Sequence, residues 1–423
     1  MVTKDTLKEI LLEQRKAILQ KALGIERTLL QTLEKKVSLP QVIVFTGLRR
    51  SGKSTLLRQL MKKYYLDTDF YYINFEDERL FHFQAKDFNM IYEALVELFG
   101  EKKTFFIDEI QNIPHFEHFV RRFYENGFKF FITGSSAQLL SREIGTKLTG
   151  RHFDIVVRPF SFQEFLSARK VVFEKEMLYR TVDRVEIKKH FQSFLVEGGM
   201  PEYVFFQDAD ILTRVYEDIV IKDIIVRYRV ENVAELKELY QYLVTTMSQR
   251  FSYNSLTKFI PIQSANTVKK YIGYLEETYF ISQVSKFDYS LQKRIKNDKK
   301  IYIVDTGFIS KISTKFSKDS GWLLENLVFC TLQGRKELFY YSGKLECDFV
   351  LVENRAVEEV IQVCWDLTLT NREREIQGLL EAMDTFKLKK GLLLTFDQEE
   401  EIEIDGKKIL ILPVYRWMLQ KDI

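Results

Sequence analysis

Residues 42–57 hold a short apolar strand, a glycine-containing loop and the start of a helix, and no other segment constrains the fold as strongly. The segment reads VIVFTGLRRSGKSTLL, so Gly47 to Ser54 match the pattern G-x-x-x-x-G-K-[ST] in its required setting. Glycines let the backbone N–H groups of such a loop curl around a polyphosphate, and the helix directs its positive N-terminal end toward the same anion. The segment therefore predicts a phosphate-binding loop.

The residue types in this loop predict ATP and Mg²⁺ as cofactors. Lys53 is expected to reach the β- and γ-phosphates, and the hydroxyl of Ser54 is expected to hold Mg²⁺. The loop residues that we predict to contact the nucleotide are Gly47, Arg50, Ser51, Gly52, Lys53, Ser54 and Thr55.

A second apolar segment, TFFIDE at residues 104–109, is predicted to be a buried strand that ends in two carboxylates. Asp108 is expected to bind the nucleotide's Mg²⁺, and Glu109 lies where a catalytic base can polarise the attacking water. The alternative for Glu109 is a solvated loop carboxylate. The pair predicts an enzyme that hydrolyses ATP to ADP and phosphate.

A third apolar strand, residues 129–133, is followed by Gly-Ser-Ser at 134–136. The hydroxyl of Ser135 is expected either to sense the γ-phosphate of the bound nucleotide or to cap the next helix. Further strands are predicted at 70–74 and 153–157. Strands that alternate with helical stretches in this way indicate an α/β fold, a parallel sheet with helices on both faces.

Composition bounds the remaining possibilities. A chain of 423 residues holds about two to three domains, and a net charge of +3 means that any surface for nucleic acid must be local. The three cysteines lack zinc-type spacing, and His115 and His118 have no cysteine nearby to complete a metal set. With no apolar run of membrane-span length and no signal-peptide pattern at the start, we expect a cytoplasmic protein.

Residues 158–230 are predicted to be helical with a break at 198–201, Gly-Gly-Met-Pro. The following stretch is typical of a DNA reader. Residues 254–259 and 265–279 are predicted to form a helix-turn-helix with Ser264 as N-cap of the second helix.

Strands predicted at 280–287 and 300–304, with a lysine-rich connection that includes Lys299 and Lys300, complete a winged helix with a basic wing. The alternatives are a winged helix that contacts protein or acts as a lid, and a lysine run that is only a solvated loop. The residues that we predict to contact DNA are Asn266, Lys269, Lys270, Lys293, Arg294 and Lys296.

The last segment carries an acid on a helix and an acid on a strand, followed by another strand. Glu325 lies in a helix predicted at 322–328, and Asp348 begins a strand. Metal-dependent nucleases use two such carboxylates on Mg²⁺ with a lysine near the attacking water.

Taken together, the chain resembles the prokaryotic AAA-type ATPases whose C-terminal domain of unknown function has a PD-(D/E)XK nuclease-like fold. The resemblance rests on an ordered set of segments from about residue 20 to 420: GLRRSGKST, FIDEIQ, TGSSA, LTGR, PFSFQEF, GGMPEYV, VDTGF, ECDFV and IQVCWDL. It implies an AAA+ ATPase core at 1–157, a helical lid at 158–230, a winged helix at 231–310 and a restriction-endonuclease-like domain at 311–423.

The chain departs from the nuclease pattern at one place. Where that pattern has Glu-x-Lys, this sequence has Gln362, Val363 and Cys364. A glutamine carbonyl can still touch a metal, but a cysteine cannot replace an ammonium that steadies the attacking hydroxide. We therefore expect a degenerate site, formed by Glu325, Asp348, Gln362 and Cys364, that does not cleave DNA.

The resemblance to AAA+ modules also implies a homo-oligomer, such as a hexameric ring, in which a neighbouring subunit supplies an arginine to the ATP site. Arg151 in Leu-Thr-Gly-Arg is favoured for this role, with Arg142 and Arg227 as the other candidates. Each of the three can instead be an ordinary surface or salt-bridged arginine.

Two classes of function remain open. In the first, an oligomeric ATPase binds and remodels duplex or branched DNA. In the second, ATP controls the oligomeric state of a switch in a defence or regulatory system, and the C-terminal domain binds a protein partner. Stimulation of ATP hydrolysis by DNA distinguishes the first class from the second.

Overall fold

The computed structural model describes residues 3–135, 148–313 and 321–421, and the chain divides into two compact units. The first unit comprises Met1–Pro159 with Glu277–Tyr279, and the second comprises Phe160–Glu276 with Phe280–Ile423. The segments predicted as lid, winged helix and nuclease-like domain therefore fall in the second unit, apart from residues 158–159 and 277–279.

A five-stranded parallel sheet forms the centre of the first unit, as the sequence predicts. Its strands are Val42–Thr46 (β1), Tyr71–Asn74 (β2), Thr104–Asp108 (β3), Lys129–Thr133 (β4) and His152–Val156 (β5). Their order is β2-β3-β4-β1-β5, and every neighbouring pair is parallel. Because β4 lies between β1 and β3, the carboxyl ends of these three strands meet at one edge of the sheet.

Both faces of this sheet are covered, which explains the continuous apolar runs of its strands. Val42 and Val44 point into one hydrophobic cluster, and Ile43 and Phe45 point into another on the opposite face. The helices of the first unit are Lys4–Gln20, Leu29–Val37, Lys53–Tyr64, Phe88–Phe99 and Phe116–Glu125.

A nine-stranded mixed sheet forms the centre of the second unit, in the order β13-β14-β12-β11-β10-β9-β7-β8-β6. Its strands are Arg250–Phe251 (β6), Ile281–Lys286 (β7), Lys299–Ile303 (β8), Glu337–Ser342 (β9), Glu346–Glu353 (β10), Ala356–Val363 (β11), Lys390–Thr395 (β12), Glu400–Ile404 (β13) and Lys407–Pro413 (β14). The sheet crosses the boundary predicted at residue 310, because β7 pairs with β9. Residues on the two sides of that boundary therefore share one sheet.

The helices of this unit are Phe162–Ala168, Thr181–Glu197, Pro201–Phe206, Ala209–Asp218, the π-helix Ile219–Val226, Val233–Thr245, Tyr253–Leu256, Ala265–Glu277, Leu291–Lys296, Thr306–Ile312, Gly321–Leu332, Arg372–Phe386 and Val414–Lys421. The predicted break at 198–201 separates two of them. A Cβ on Gly199 would lie 2.2 Å from the carbonyl oxygen of Phe160, so only glycine fits there. Within the described ranges, no helix is both long and apolar enough to cross a membrane.

Two local predictions for the DNA reader differ from the structure. The first helix is Tyr253–Leu256 rather than 254–259, because Ser252 caps it one residue earlier and Pro261 follows closely. The connection between β7 and β8 is not an extended wing, since Leu291–Lys296 forms a helix within it.

Candidate functional site

The phosphate-binding loop joins β1 to the helix Lys53–Tyr64 at the carboxyl edge of the parallel sheet. Gly47 has a φ of 135°, and a Cβ there would lie 2.2 Å from the carbonyl oxygen of Val157. Gly52 has a φ of 97°, which disfavours any residue with a Cβ. The two glycines of the motif are therefore required by the backbone path itself.

The side chains of the loop suit a polyphosphate and its metal ion. Lys53 is buried, with Nζ 3.2 and 3.0 Å from the carbonyl oxygens of Gly47 and Leu48, so its ammonium is folded back over the loop. The hydroxyl of Ser51 is buried and has no hydrogen-bond partner among the described residues. An orphaned hydroxyl and an ammonium at a helix N-terminus fit a bound phosphate chain.

Asp108 is the last residue of β3, and its carboxylate lies beside this loop. It accepts hydrogen bonds from the hydroxyls of Thr133 and Ser54. Oxygen atoms such as these are the ligands that Mg²⁺ prefers. Burial and the charge of Glu109 raise the pKa of Asp108, while Thr133, Ser54 and Lys53 act to lower it. A bound divalent cation would oppose the first two effects and keep the carboxylate ionised.

Glu109 follows β3 in the left-handed region, with φ 52° and ψ 47°. Such a conformation costs a non-glycine residue about 1 kcal/mol or more and occurs preferentially at functional sites. Its backbone N–H donates to the Thr133 hydroxyl at 2.9 Å, and the side-chain amide of Gln111 donates to its carboxylate. Thr133 and Gln111 therefore fix the predicted base, although neither was singled out from the sequence.

Ser135 lies within this set, with its hydroxyl 3.4 Å from the amide nitrogen of Gln111. Ser135 is alternatively predicted to cap a helix that follows it, but residues 136–147, Ser136 among them, lie outside the described part of the chain. Thr55 follows Lys53 and Ser54 in the first turn of its helix. Arg50 adopts a φ of 61° within the loop.

Arg151 lies at the opposite edge of the parallel sheet. Its carbonyl oxygen accepts the N–H of Val42, the first residue of β1, whereas the loop begins after the last. Five residues of strand separate the two edges by about 16 Å. The half-exposed guanidinium pairs with Glu125 at 3.0 Å. Arg142 lies outside the described residues, and Arg227 follows the π-helix of the second unit.

Three of the predicted DNA contacts share the first turns of the helix Ala265–Glu277. Asn266, Lys269 and Lys270 are exposed there, and Ser264 accepts the N–H of Asn266 at 3.2 Å, as expected of an N-cap. Burial lowers the pKa of Lys299, and the nearby positive charge of Lys269 lowers it further. The helix thus presents a positive surface close to the start of β8.

The other three predicted DNA contacts lie on the helix Leu291–Lys296 and differ in accessibility. Lys293 is exposed and lies 3.9 Å from Asp288, and Lys296 is exposed. Arg294 is half-buried, with its guanidinium 5.3 Å from the ring centre of Phe339. Its packing makes it a poorer phosphate ligand than the two lysines.

The second unit brings three of the four predicted nuclease-site residues together, namely Glu325, Asp348 and Gln362. The Asp348 carboxylate accepts the N–H of Val363 at 3.0 Å, and the Asp348 N–H donates to the Gln362 side chain at 3.2 Å. Cys364 follows β11, where its thiol donates to the carbonyl oxygen of Asp366. Burial first, and then the charge of Glu375, raise the pKa of the Cys364 thiol to about 11, so it stays neutral near pH 7. A thiol carries no positive charge in either protonation state, so Cys364 supplies no cation.

Lys300 is the residue of this site that sequence reasoning misplaced. Its ammonium lies 3.0 Å from Glu325, 3.0 Å from Asp348 and 2.6 Å from Glu346, and the side chain is 2% exposed. The lysine-rich connection suggested a solvated wing. Lys300 and Tyr302 share one face of β8 and Ile301 and Ile303 share the other, and all four are buried. Alternation of polar and apolar residues would by itself turn the lysine toward solvent, so nothing in the strand's own residues signals its burial.

The charges in this cluster are unequal, since three carboxylates surround one ammonium. Burial acts to lower the pKa of Lys300, but the charges of Glu325, Asp348 and Glu346 outweigh it and raise that pKa well above its ordinary value. Burial, followed by the charge of Asp348, raises the pKa of Glu325 from 4.5 to about 7. Glu325 therefore takes up a proton more readily in the folded chain.

This pKa gives a test by pH. Between pH 4.5 and about 7 the folded chain binds more protons at Glu325 than the unfolded chain, so this group's contribution to stability falls as pH rises. Relative to Glu325→Gln, the parent should lose up to about 1.4 kcal/mol of unfolding free energy per pH unit in that window. Urea unfolding at pH 5 and 7.5 measures the difference. Parallel pH curves for parent and variant would rule out the raised pKa, and exposed Glu373→Gln is the control.

Two family models match parts of the chain. An "AAA domain" model matches residues 39–166, which contain all five strands of the parallel sheet and the loop. A "Domain of unknown function (DUF8612)" model matches residues 188–319.

Solved structures show weaker likeness. The AMPPCP-bound DnaA of Aquifex aeolicus is 15% identical with a TM-score of 0.22, and the match covers 66% of this chain and 90% of that one. The ADP form of the ORC2 protein of Aeropyrum pernix is 12% identical with a TM-score of 0.31, covering 64% and 86%. At these TM-scores the likeness carries no argument.

Relatives match over most of the chain. The uncharacterized protein MJ1544 of Methanocaldococcus jannaschii is 34% identical over 440 residues, covering 99% of this chain and 96% of that protein. A protein of Haemophilus influenzae is 30% identical over 396 residues, covering 89% and 94%. The chain therefore belongs to the same family as MJ1544, and its N-terminal part is an AAA domain with the phosphate-binding loop of a P-loop ATPase.

Proposed function

We propose that this protein is an AAA+ enzyme that hydrolyses ATP as a homo-oligomer and acts on DNA. One observation carries the ATPase activity: Lys53, Ser54, Asp108 and Glu109 converge at a single edge of the parallel sheet, with Thr133 hydrogen-bonded to the last two. Each of these groups has a role in moving a γ-phosphoryl group to water.

The chain's own groups divide this work. ATP with Mg²⁺, when bound, supplies the phosphoryl group and a cation that spreads its developing charge. Lys53 and the loop N–H groups hold the phosphates, and Ser54 and Asp108 supply oxygen ligands for the cation. Glu109 takes the proton of the attacking water, and Gln111 orients its carboxylate through their hydrogen bond.

The position of Arg151 supports an oligomer. It lies at the opposite edge of its own sheet, about 16 Å from the loop, so it is too far to reach the phosphates of its own subunit. A head-to-tail interface between copies, as in a ring, presents this edge of one copy to the loop edge of the next. Arg151 then supplies the positive charge that stabilises the transition state of the neighbour.

The second unit supplies the proposed DNA surface. Residues 231–310 follow the order of a winged helix: helices Val233–Thr245, Tyr253–Leu256 and Ala265–Glu277, then antiparallel β7 and β8. Exposed Asn266, Lys269 and Lys270 on the third helix suit a groove or a phosphate backbone. We propose that the C-terminal segment is nuclease-like in fold and binds DNA or a partner without cleaving DNA.

Neutralising the exposed lysines tests the DNA surface. Lys269→Gln with Lys270→Gln should weaken DNA binding across sequences and flatten the salt dependence of log K by about 0.9 per lost phosphate contact. Lys293→Gln with Lys296→Gln should act similarly, because both lysines are exposed. Fluorescence anisotropy with labelled duplex DNA at several salt concentrations measures both slopes.

The matched control is Lys389→Gln with Lys390→Gln, an exposed pair beside β12 that removes the same charge elsewhere. Equal losses in all three double variants would mean that only net charge matters. Unchanged binding in both test pairs would assign the helix Ala265–Glu277 to protein contact instead.

ATP hydrolysis measured with and without duplex and branched DNA tests the proposed function as a whole. We expect DNA to stimulate the turnover rate, because DNA-acting ATPases couple the two events. Slow turnover that ignores every DNA structure, with ADP retained on the protein, would contradict the DNA role and favour a nucleotide-controlled switch.

A further inference from the structure

In the second unit, the buried ammonium of Lys300 contacts three carboxylates that come from two other elements. Lys300 on β8 meets Glu325 on the helix Gly321–Leu332, and Glu346 and Asp348 on β10. The three distances from Nζ to carboxylate oxygen are 3.0, 2.6 and 3.0 Å. The ammonium donates hydrogen bonds to Glu325 and Asp348 and forms an ion pair with Glu346, so all three carboxylates contact it.

Each carboxylate in this cluster is also held by a second group. The Tyr302 hydroxyl donates to Glu325 at 2.6 Å, the Val363 N–H donates to Asp348 at 3.0 Å, and Arg250 lies 3.0 Å from Glu346. These partners fix where the oxygens point. The oxygens converge on one position, and the Lys300 ammonium occupies it.

We propose that Lys300 is the resident cation of this carboxylate site and takes the place of a divalent metal ion. The oxygens stand 2.6–3.0 Å from Nζ, which suits an ammonium, whereas Mg²⁺ needs about 2.0–2.1 Å and Ca²⁺ about 2.3–2.6 Å. In residues 3–135, 148–313 and 321–421, no group of three or more His, Cys, Asp or Glu side chains is arranged to hold a metal ion.

Electrostatics explains why the place must be filled. Three carboxylates that are mostly withdrawn from water repel one another, and a tethered ammonium offsets part of that charge at all times. A covalently attached cation cannot be removed by a chelator or diluted away. The site should therefore be independent of divalent ions, and its carboxylates should become a metal site only when the lysine is removed.

Lys300→Ala tests this in the full-length chain. Without metal, the variant should melt below the parent, because its carboxylates lose their cation. Ca²⁺ or Mn²⁺ at 1 mM should then raise its melting temperature by about 2 °C or more, while the parent melts equally with metal and with EDTA. Isothermal titration should give one site per chain in Lys300→Ala, and that site should disappear when Asp348→Asn is added.

Two variants serve as controls. Lys299→Ala removes the neighbouring lysine, whose ammonium donates to the carbonyl oxygens of Ile295 and Asn297, and should leave melting independent of metal. Lys300→Met keeps the side-chain volume without the charge, and should be destabilised and respond to metal less than Lys300→Ala.

The parent alone keeps the proposal falsifiable if Lys300→Ala does not fold. Binding of Ca²⁺ or Mn²⁺ to the parent that is lost in Asp348→Asn, or metal-dependent DNA cleavage lost in that variant, would overturn the proposal. A folded Lys300→Ala that binds neither ion would also overturn it.

Discussion

Glu109→Gln should lower the rate of ATP hydrolysis by about 10²- to 10⁴-fold while leaving ATP affinity nearly unchanged. The amide keeps the shape of the side chain, and Lys53, Ser54 and Asp108 still hold the phosphates and cation. What is lost is the group that takes the proton of the attacking water. Phosphate release and equilibrium binding of a fluorescent ATP analogue measure the two quantities separately.

Glu101→Gln is the matched control, since Glu101 is an exposed glutamate before the opposite end of β3. It should hydrolyse ATP at the parent rate. A Glu109→Gln enzyme that turned over as fast as the parent would show that Glu109 is not the base, whatever its backbone conformation.

Arg151→Ala should lower the turnover rate by about 10³-fold or more and leave ATP affinity nearly intact, because the guanidinium acts on the transition state and not on the ground state. Arg121→Ala is the control. Arg121 pairs with the same Glu125 at the same 3.0 Å distance, so a role confined to that surface ion pair would make the two variants equal. The comparison of kcat values decides between them.

Mixing the two inactive variants adds a test of assembly. A site with Glu109 from an Arg151→Ala subunit and Arg151 from a Glu109→Gln subunit is complete. Random mixing in a head-to-tail ring makes about one quarter of the sites complete, so activity should reappear. No recovery on mixing, or full activity in a strictly monomeric protein, would contradict the trans role.

The strands and the phosphate-binding loop of the first unit could be predicted from the sequence, because each is marked by a pattern in its own residues. The strand predicted at 129–133 has those bounds in the structure, and the one predicted at 104–109 ends one residue earlier, at Asp108, since strands buried on both faces are continuous apolar runs. The loop from Gly47 to Ser54 could be predicted from its glycines alone. The contact between Thr133 and Glu109 could not, because it depends on the order of the strands in the sheet.

The second unit is harder to predict for the same reason. Lys300, Glu325 and Asp348 are separated by more than twenty residues from one to the next. Only the pairing of β7 with β9 brings β8 and β10 into one sheet, and Glu325 reaches them from a helix. A lysine run usually lies in solvent, but here Lys300 is buried against carboxylates of the helix Gly321–Leu332 and of β10. The partners of this lysine lie on other elements, so its burial does not follow from the sequence of its own strand.

Release of inorganic phosphate by the purified chain with ATP and Mg²⁺, beside Lys53→Ala, tests the central claim most directly. Circular dichroism melts of both proteins verify that the substitution leaves the fold intact. The parent should turn over ATP repeatedly, and Lys53→Ala should neither bind nor hydrolyse it, because the loop loses its only ammonium. No phosphate release by the parent, or equal rates in the two proteins, would contradict the account.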